Sequence, residues 1–144
     1  FMMYNLNMRI FIAIFIVFMA VFQIIALVSG WYIVLRWLDI PMHIAGGAWV
    51  AIAFWYFVCE KTDLISFRKK WIAVVVGMGV VALIGAVWEM YEFFSDVFVK
   101  QSHPLLSEPG WIYFDSLKDL FDDIFGAFIA LVILVKYRWD RLKA

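Results

Sequence analysis

Seven acidic residues and one histidine lie in three short stretches of an otherwise apolar sequence. Their spacings would let them form a ligand-binding or catalytic site. The stretches hold Asp39 with His43, then Glu89, Glu92 and Asp96, and then Asp115, Asp119 and Asp122. Spacings of three, four and seven residues put the members of each group on one face of a helix. Carboxylate oxygens with one imidazole nitrogen suit ions such as Mg, Mn, Ca, Fe or Zn. The pattern therefore favours a divalent metal site, with the metal identity left open. Protonated carboxyl groups with raised pKa values and a water-filled vestibule are the alternatives.

The elements that carry these residues are four apolar segments. The chain has 144 residues, 67% of them hydrophobic, and a mean hydropathy of +0.93. Stretches of about 20 apolar residues span a bilayer as helices, and such segments lie at about 8–29, 40–58, 71–94 and 115–137. The first is longer than the core of a signal peptide, about 7–15 residues, which favours a retained transmembrane helix. The sequence predicts an all-α integral membrane four-helix bundle, one polytopic domain over residues 1–144.

Charge and cysteine content exclude several classes of function. The formal net charge is zero, so no basic excess points to nucleic acid as a partner. Cys59 is the single cysteine of the sequence, which rules out an internal disulfide and a cysteine metal cage. Membrane lipids are the expected partners, and a homo-oligomer or a membrane-protein partner is left open.

The basic residues predict how the chain is oriented. Nine of them fall on one side of the predicted helices: Arg9, Lys61, Arg68, Lys69, Lys70, Lys136, Arg138, Arg141 and Lys143. Arg36, Lys100 and Lys118 fall on the other side. Because short cytoplasmic loops carry the excess of Lys and Arg, we expect both termini in the cytoplasm of a multi-pass inner (plasma) membrane protein. The three acidic groups then share the outer side.

Neighbouring helices of such a bundle bring their inward faces together. Glu89 to Asp96 and Asp115 to Asp122 each cover about 10 Å along a helix, so these two groups can overlap in depth. The predicted metal ligands are Asp39, His43, Glu89, Glu92, Asp115, Asp119 and Asp122. Helix capping is an alternative role for Asp39 and Asp115, but not for Glu89, which lies near a helix C-terminus, where negative charge is unfavourable. His43 and Glu89 are the predicted catalytic residues.

Glycines of the predicted helices indicate where helices approach closely. Small residues let helix backbones approach one another within a membrane. We expect this role for Gly46, Gly47, Gly77, Gly79, Gly85 and Gly126.

Three motifs resemble those of small bacterial inner-membrane proteins. "DIPMHIAGG", "WEMYEFFSD" and "DSLKDLFDDIFGA" follow one another across about residues 39–130. Their order is similar to that of VanZ-like proteins and of a related uncharacterised inner-membrane family. Phe93 follows Glu92 where VanZ-like members tend to carry a histidine near this motif, so the uncharacterised family is the better match. The resemblance implies a compact polytopic bundle with a polar site, and VanZ-like proteins are linked to envelope or lipid-glycopeptide resistance.

Three functions fit these observations. The first is a metal-dependent enzyme that acts on a lipid or lipid-linked head group. The second is a proton or divalent-cation pathway, although the inner half of the predicted bundle holds almost no ionisable residue. The third is a non-catalytic accessory subunit of a membrane complex. The sequence leaves open whether the protein is an enzyme.

Overall fold

The computed structural model describes residues 2–62, 67–95, 98 and 109–139, and these residues form helices and no strand. The four long α-helices are α1 (Met2–Val28), α3 (Asp39–Phe54), α4 (Lys70–Phe94) and α5 (Pro109–Arg138). A short helix α2 (Trp31–Val34) and a 3₁₀ turn (Arg36–Leu38) connect α1 to α3. A π-helical segment (Trp55–Lys61) continues α3.

Among the residues that the structure describes, three segments are long and apolar enough to cross a membrane, namely Leu6–Val28, Arg36–Lys61 and Lys70–Phe94. The candidate spans agree with the first three segments that the hydropathy of the sequence predicts. Helix α5 is not among them, because its first half carries charged side chains. These are Asp115, Lys118, Asp119, Asp122 and Asp123.

Helix boundaries differ from the predicted ones at three places. Helix α1 begins at Met2 rather than at about residue 8. Helix α5 begins at Pro109 rather than at 115, and proline is well suited to the first turn because its missing N–H has no helical partner there. The second helix continues to Lys61 rather than ending at about 58, since the π-helical segment prolongs it. At the other end of α1, Gly30 (φ +67°) ends the helix in the left-handed region that favours glycine.

Helices α3 and α5 form the most extensive contact of the fold, and two glycines allow it. A Cβ atom on Gly47 would lie 2.0 Å from the backbone oxygen of Asp123. A Cβ atom on Gly126 would lie 2.0 Å from the backbone oxygen of Ile44. Any side chain at either position would push the two backbones apart, so both glycines have the predicted role. Gly46 meets its neighbours only at ordinary van der Waals distance.

Helix α4 packs on α5 through glycines as well. A Cβ on Gly77 would lie 2.7 Å from Leu131, and one on Gly85 would lie 2.6 Å from the carboxylate of Asp123. The prediction is wrong for Gly79, which faces open space with nothing within 4 Å. The same glycines that bring α3, α4 and α5 together also set the spacing of the polar side chains at one end.

The middle of the fold is apolar. Ala51, Val81, Ala127 and Leu131 are buried there between α3, α4 and α5. Helix α1 lies outside this core and contacts α3, where the Trp49 indole donates a hydrogen bond to the backbone oxygen of Ile12 (2.9 Å). The polar residues are therefore separated into two groups at opposite ends of the helices.

Candidate functional site

The first turns of α3 carry Asp39 and His43. The two residues lie four apart on one helical face, and the Nε2 atom of His43 lies 3.5 Å from Oδ1 of Asp39. His43 is only 7% exposed, because α5 covers it. Helix α3 thus presents an imidazole to α5 and keeps a carboxylate beside it.

Helix α5 supplies two carboxylates, one to each nitrogen of the His43 ring. Oδ1 of Asp119 lies 3.9 Å from Nε2, and Oδ1 of Asp123 lies 3.4 Å from Nδ1. Asp119 was predicted to be part of the site. By helical spacing, Asp123 lies about 100° around α5 from Asp122, off the face that Asp115, Asp119 and Asp122 share. The close approach at Gly47 is what carries Asp123 to the ring.

A lysine lies among the same carboxylates. Nζ of Lys118 is 3.3 Å from Oδ2 of Asp39 and 3.7 Å from Oδ2 of Asp122, and it also contacts Oδ1 of Asp119. Within the part of the chain that the structure describes, no other lysine or arginine pairs with these acids. Lys118 therefore occupies a position where a cation meets three carboxylates.

Helix α4 approaches from the third side with two glutamates. One ligand atom each from His43, Glu89 and Glu92 lie within 4.8 Å of one another, and the same holds for Asp39, His43 and Asp119. His43 belongs to both groups and so joins them. We call the set Asp39, His43, Glu89, Glu92, Lys118, Asp119, Asp122 and Asp123 the His43 cluster.

Two carboxylate oxygens of the His43 cluster are buried without a hydrogen-bond partner. They are Oε1 of Glu89 and Oδ2 of Asp122. The Asp122 oxygen has Lys118 nearby at 3.7 Å, beyond hydrogen-bonding distance. A buried carboxylate oxygen without a partner costs free energy, so these atoms mark places where a cation or a proton donor would be stabilised.

Tyr32 of α2 lies close enough to respond to the charge of the cluster. Burial raises the pKa of Tyr32, and the negative charges of Asp39 and Glu92 raise it further. Its hydroxyl donates a hydrogen bond to Gln23 of α1. The influence of both acids on one phenol is a further sign that α3 and α4 bring their carboxylates to the same end.

Other predicted site residues lie elsewhere. Asp115 is exposed and belongs to neither group of ligand atoms. Asp122 is buried beside Lys118 but also lies outside those two groups. Asp96 lies outside the described residues.

A second polar cluster lies at the opposite end of the helices and was not predicted. Oε2 of Glu60 accepts a hydrogen bond from NH2 of Arg138 (2.6 Å), and its Oε1 accepts one from the Trp55 indole (2.8 Å). Nearby, Nε of Arg9 donates to the Tyr56 hydroxyl (3.0 Å). We call these five residues the Glu60–Arg138 cluster. Glu60 follows the predicted end of the second segment at about 58, but the π-helical segment turns it inward, and its side chain is only 8% exposed.

The chain was compared with protein families, curated proteins and solved structures. A family model described as "Predicted membrane protein (DUF2238)" matches residues 1–140. Neither the curated proteins nor the solved structures gave a match.

Proposed function

The chain belongs to the DUF2238 family of predicted membrane proteins, and from this premise we propose that it binds a divalent metal ion at the His43 cluster and acts there on a lipid or lipid-linked head group. Two buried, partnerless oxygens carry the proposal: one belongs to Glu89, which lies near His43, and the other to Asp122, which lies near Lys118. Ionisable groups at membrane depth are expensive and mark functional sites by default.

The proposed arrangement in the membrane is a four-helix bundle with both termini in the cytoplasm. Helix α5 joins the three candidate spans because it packs against α3 and α4 along its length. In the charged first half of α5, Asp119 and Asp123 are buried and face His43 rather than lipid. The excess of Lys and Arg on the opposite side supports an outward-facing His43 cluster. The inner membrane as location, and a relationship to VanZ-like proteins, rest on the motif resemblance.

The ligand set follows from the two nitrogens of His43. Histidine ligands commonly give their second ring N–H to a carboxylate, which fixes the orientation of the ring. Asp123, 3.4 Å from Nδ1, fits that orienting role. Nε2 is then the ligand atom, with Asp39 and Asp119 beside it. Glu92 reaches the same histidine from α4 and completes an oxygen-rich donor set.

Glu89 is proposed as the residue that accepts a proton during the reaction. Its Oε1 has no hydrogen-bond partner, while Ser116 of α5 lies beside the same carboxyl group. A bound divalent ion would supply Lewis-acid stabilisation of a phosphate oxygen on the head group. His43 and the aspartates hold that ion, so Glu89 is the group left to receive a proton.

A pathway for protons or cations is the second candidate, and it receives less support. The Glu60–Arg138 cluster does supply ionisable groups at the inner end. The buried layer of Ala51, Val81, Ala127 and Leu131 separates the two clusters, and it offers no polar side chain to connect them. The third candidate is a non-catalytic accessory subunit of a membrane complex, in which the acidic residues bind a partner protein.

The test of the proposal is the metal content of the purified protein after incubation with Mn²⁺ and removal of free ion. We expect about one ion per chain in the wild type and its loss in Asp119→Asn. Asp115→Asn is the matched control, since it makes the same change one turn earlier at an exposed site. Loss of metal in both variants, or no metal in the wild type with Mn²⁺, Mg²⁺ or Zn²⁺, would contradict the proposal.

The proposed role of Glu89 as proton acceptor is tested separately from metal binding. Glu89→Gln is expected to retain metal through Asp39, His43 and Asp119 while turnover of a lipid-phosphate substrate is lost. A Glu89→Gln variant with unchanged turnover would remove Glu89 from the reaction.

A further inference from the structure

An apolar groove of about 360 Å³ runs between α1, α3 and α5. Helix α1 contributes Met8 and Phe11, and α3 contributes Ile44, Ala48 and Ile52. Every lining residue is apolar, including those from α5. The groove is open at its side, since Phe11 is half exposed.

One end of the groove lies at the level of the His43 cluster. Ile44 follows His43 directly in α3, and Gly126 follows Asp122 by one helical turn in α5. Lys118, Asp122 and Gly126 lie four residues apart, so they share one face of α5. The partnerless oxygen of Asp122 therefore lies on the face that continues into the groove.

The shape and lining of the groove indicate its occupant. From Ile44 to Ile52 it extends about 12 Å along α3. It is apolar along this length, opens at its side and ends at the level of the polar His43 cluster, as a hydrocarbon chain joined to a polar head group requires. A single extended hydrocarbon chain is the occupant that fits such a narrow apolar volume.

We propose that the groove holds one acyl chain of the phospholipid whose head group is bound at the His43 cluster. The inference rests on the proposed function and deepens it: the lipid is held within the protein by one acyl chain as well as by its head group. Lipid tails are as apolar as the groove, so the groove contributes little affinity. Its role is to orient the chain so that the head group reaches His43.

The probe is phosphatidylglycerol with a photoreactive diazirine near the middle of one acyl chain, present in lipid nanodiscs that contain the protein. After illumination, the labelled residues are identified by mass spectrometry. We expect enrichment at Ile52 and Ile133 of the groove over lipid-exposed positions outside it, such as Leu83, which is more exposed than Ile133.

Ala48→Phe fills the groove, and the enrichment is expected to fall to the level of Leu83. Ala13→Phe is the matched control, because Ala13 is exposed on α1 and does not line the groove. Ile133→Trp is a second blocking variant at a half-exposed position, which tolerates a larger side chain if Ala48→Phe misfolds. The proposal is overturned if the labelling of each residue depends only on its exposed fraction and does not change in a folded blocking variant.

Metal content, measured on the same proteins, separates this inference from the function on which it rests. Metal retained in Ala48→Phe with groove labelling lost supports both. Metal bound with no groove enrichment in the wild type overturns the acyl-chain site alone. Groove enrichment in a wild type that binds no metal overturns the metal-dependent function and leaves the acyl-chain site supported.

Discussion

The two ends of the molecule bury charged side chains in opposite ways. In the Glu60–Arg138 cluster, the one carboxylate lies among two guanidinium groups, and both of its oxygens accept hydrogen bonds. In the His43 cluster, six carboxylates face one lysine and one histidine, and two oxygens have no partner. Among the described residues, every carboxylate oxygen of the first cluster therefore has a donor within the chain. The second has more negative charge than the described residues of the chain neutralise.

This difference fits a structural role for the first cluster and the proposed binding role for the second. Removing one member of a buried ion pair costs a great deal of stability, because the other charge is left uncompensated. A cluster with excess acid is expected to lose less on removal of a carboxylate and to gain from an added cation. Substitutions in and beside the two clusters test that contrast.

Arg138→Met removes the cation of the Glu60–Arg138 cluster. We expect the free energy of unfolding to fall by about 3–5 kcal/mol, because Glu60 stays buried without its charged partner. Chemical unfolding in detergent measures this, with Arg36→Met at an exposed position as the control. Combining Arg138→Met with Glu60→Leu should recover most of the loss. Equal effects of Arg138→Met and Arg36→Met would refute a stabilising role for the pair.

Lys118→Met removes the cation of the His43 cluster. Without metal, we expect a loss of about 1.5–3 kcal/mol, as for hydrogen bonds to charged groups. The affinity for Mn²⁺ should rise by about tenfold, or 1.4 kcal/mol, because the lysine no longer competes for Asp39, Asp119 and Asp122. Titration calorimetry of both proteins measures the change. A weaker affinity for Mn²⁺ in the variant would mean that Lys118 does not occupy the cation position.

Gly126→Ala forces apart the helices that carry both clusters. The added methyl group would meet the backbone of Ile44, and overpacking of this kind costs about 1–3 kcal/mol. Gly79→Ala is the matched control, because nothing lies within 4 Å of Gly79, and it should be neutral or slightly stabilising. Thermal unfolding of the two variants compares them. Equal melting temperatures would contradict the close approach of α3 and α5.

Asp115→Asn has the smallest expected effect. Asp115 is exposed and outside both ligand groups, so unfolding should change by less than about 0.5 kcal/mol. A clear loss of Mn²⁺ affinity in this variant, measured by the same titration, would contradict a metal site confined to the His43 cluster.

Helical periodicity was enough to predict part of the His43 cluster. Asp39 with His43 and Asp119 on a later helix follow from four-residue spacing and from the expected packing of neighbouring helices. The apolar segments likewise predicted the helices that are long and apolar enough to cross a membrane, to within a few residues for α3 and α4.

The contacts that depend on how helices are rotated could not be predicted. Asp123 reaches His43 because Gly47 lets α5 approach the backbone of α3, and spacing within α5 alone gives no sign of this. Glu60 was missed because a π-helical turn is not readable from apolar periodicity. Arg138 was counted among the basic residues that set orientation, although its side chain is mostly buried against Glu60.

The central claim is that a divalent ion binds to the imidazole of His43. Pulsed electron paramagnetic resonance of Mn²⁺-loaded protein detects a nitrogen ligand directly, and the sequence holds only two histidines, His43 and His103. We expect a hyperfine coupling between Mn²⁺ and nitrogen in the wild type and in His103→Gln. We expect this coupling to be absent in His43→Gln. A coupling that persists in His43→Gln, or none in any of the three proteins, would contradict the central claim.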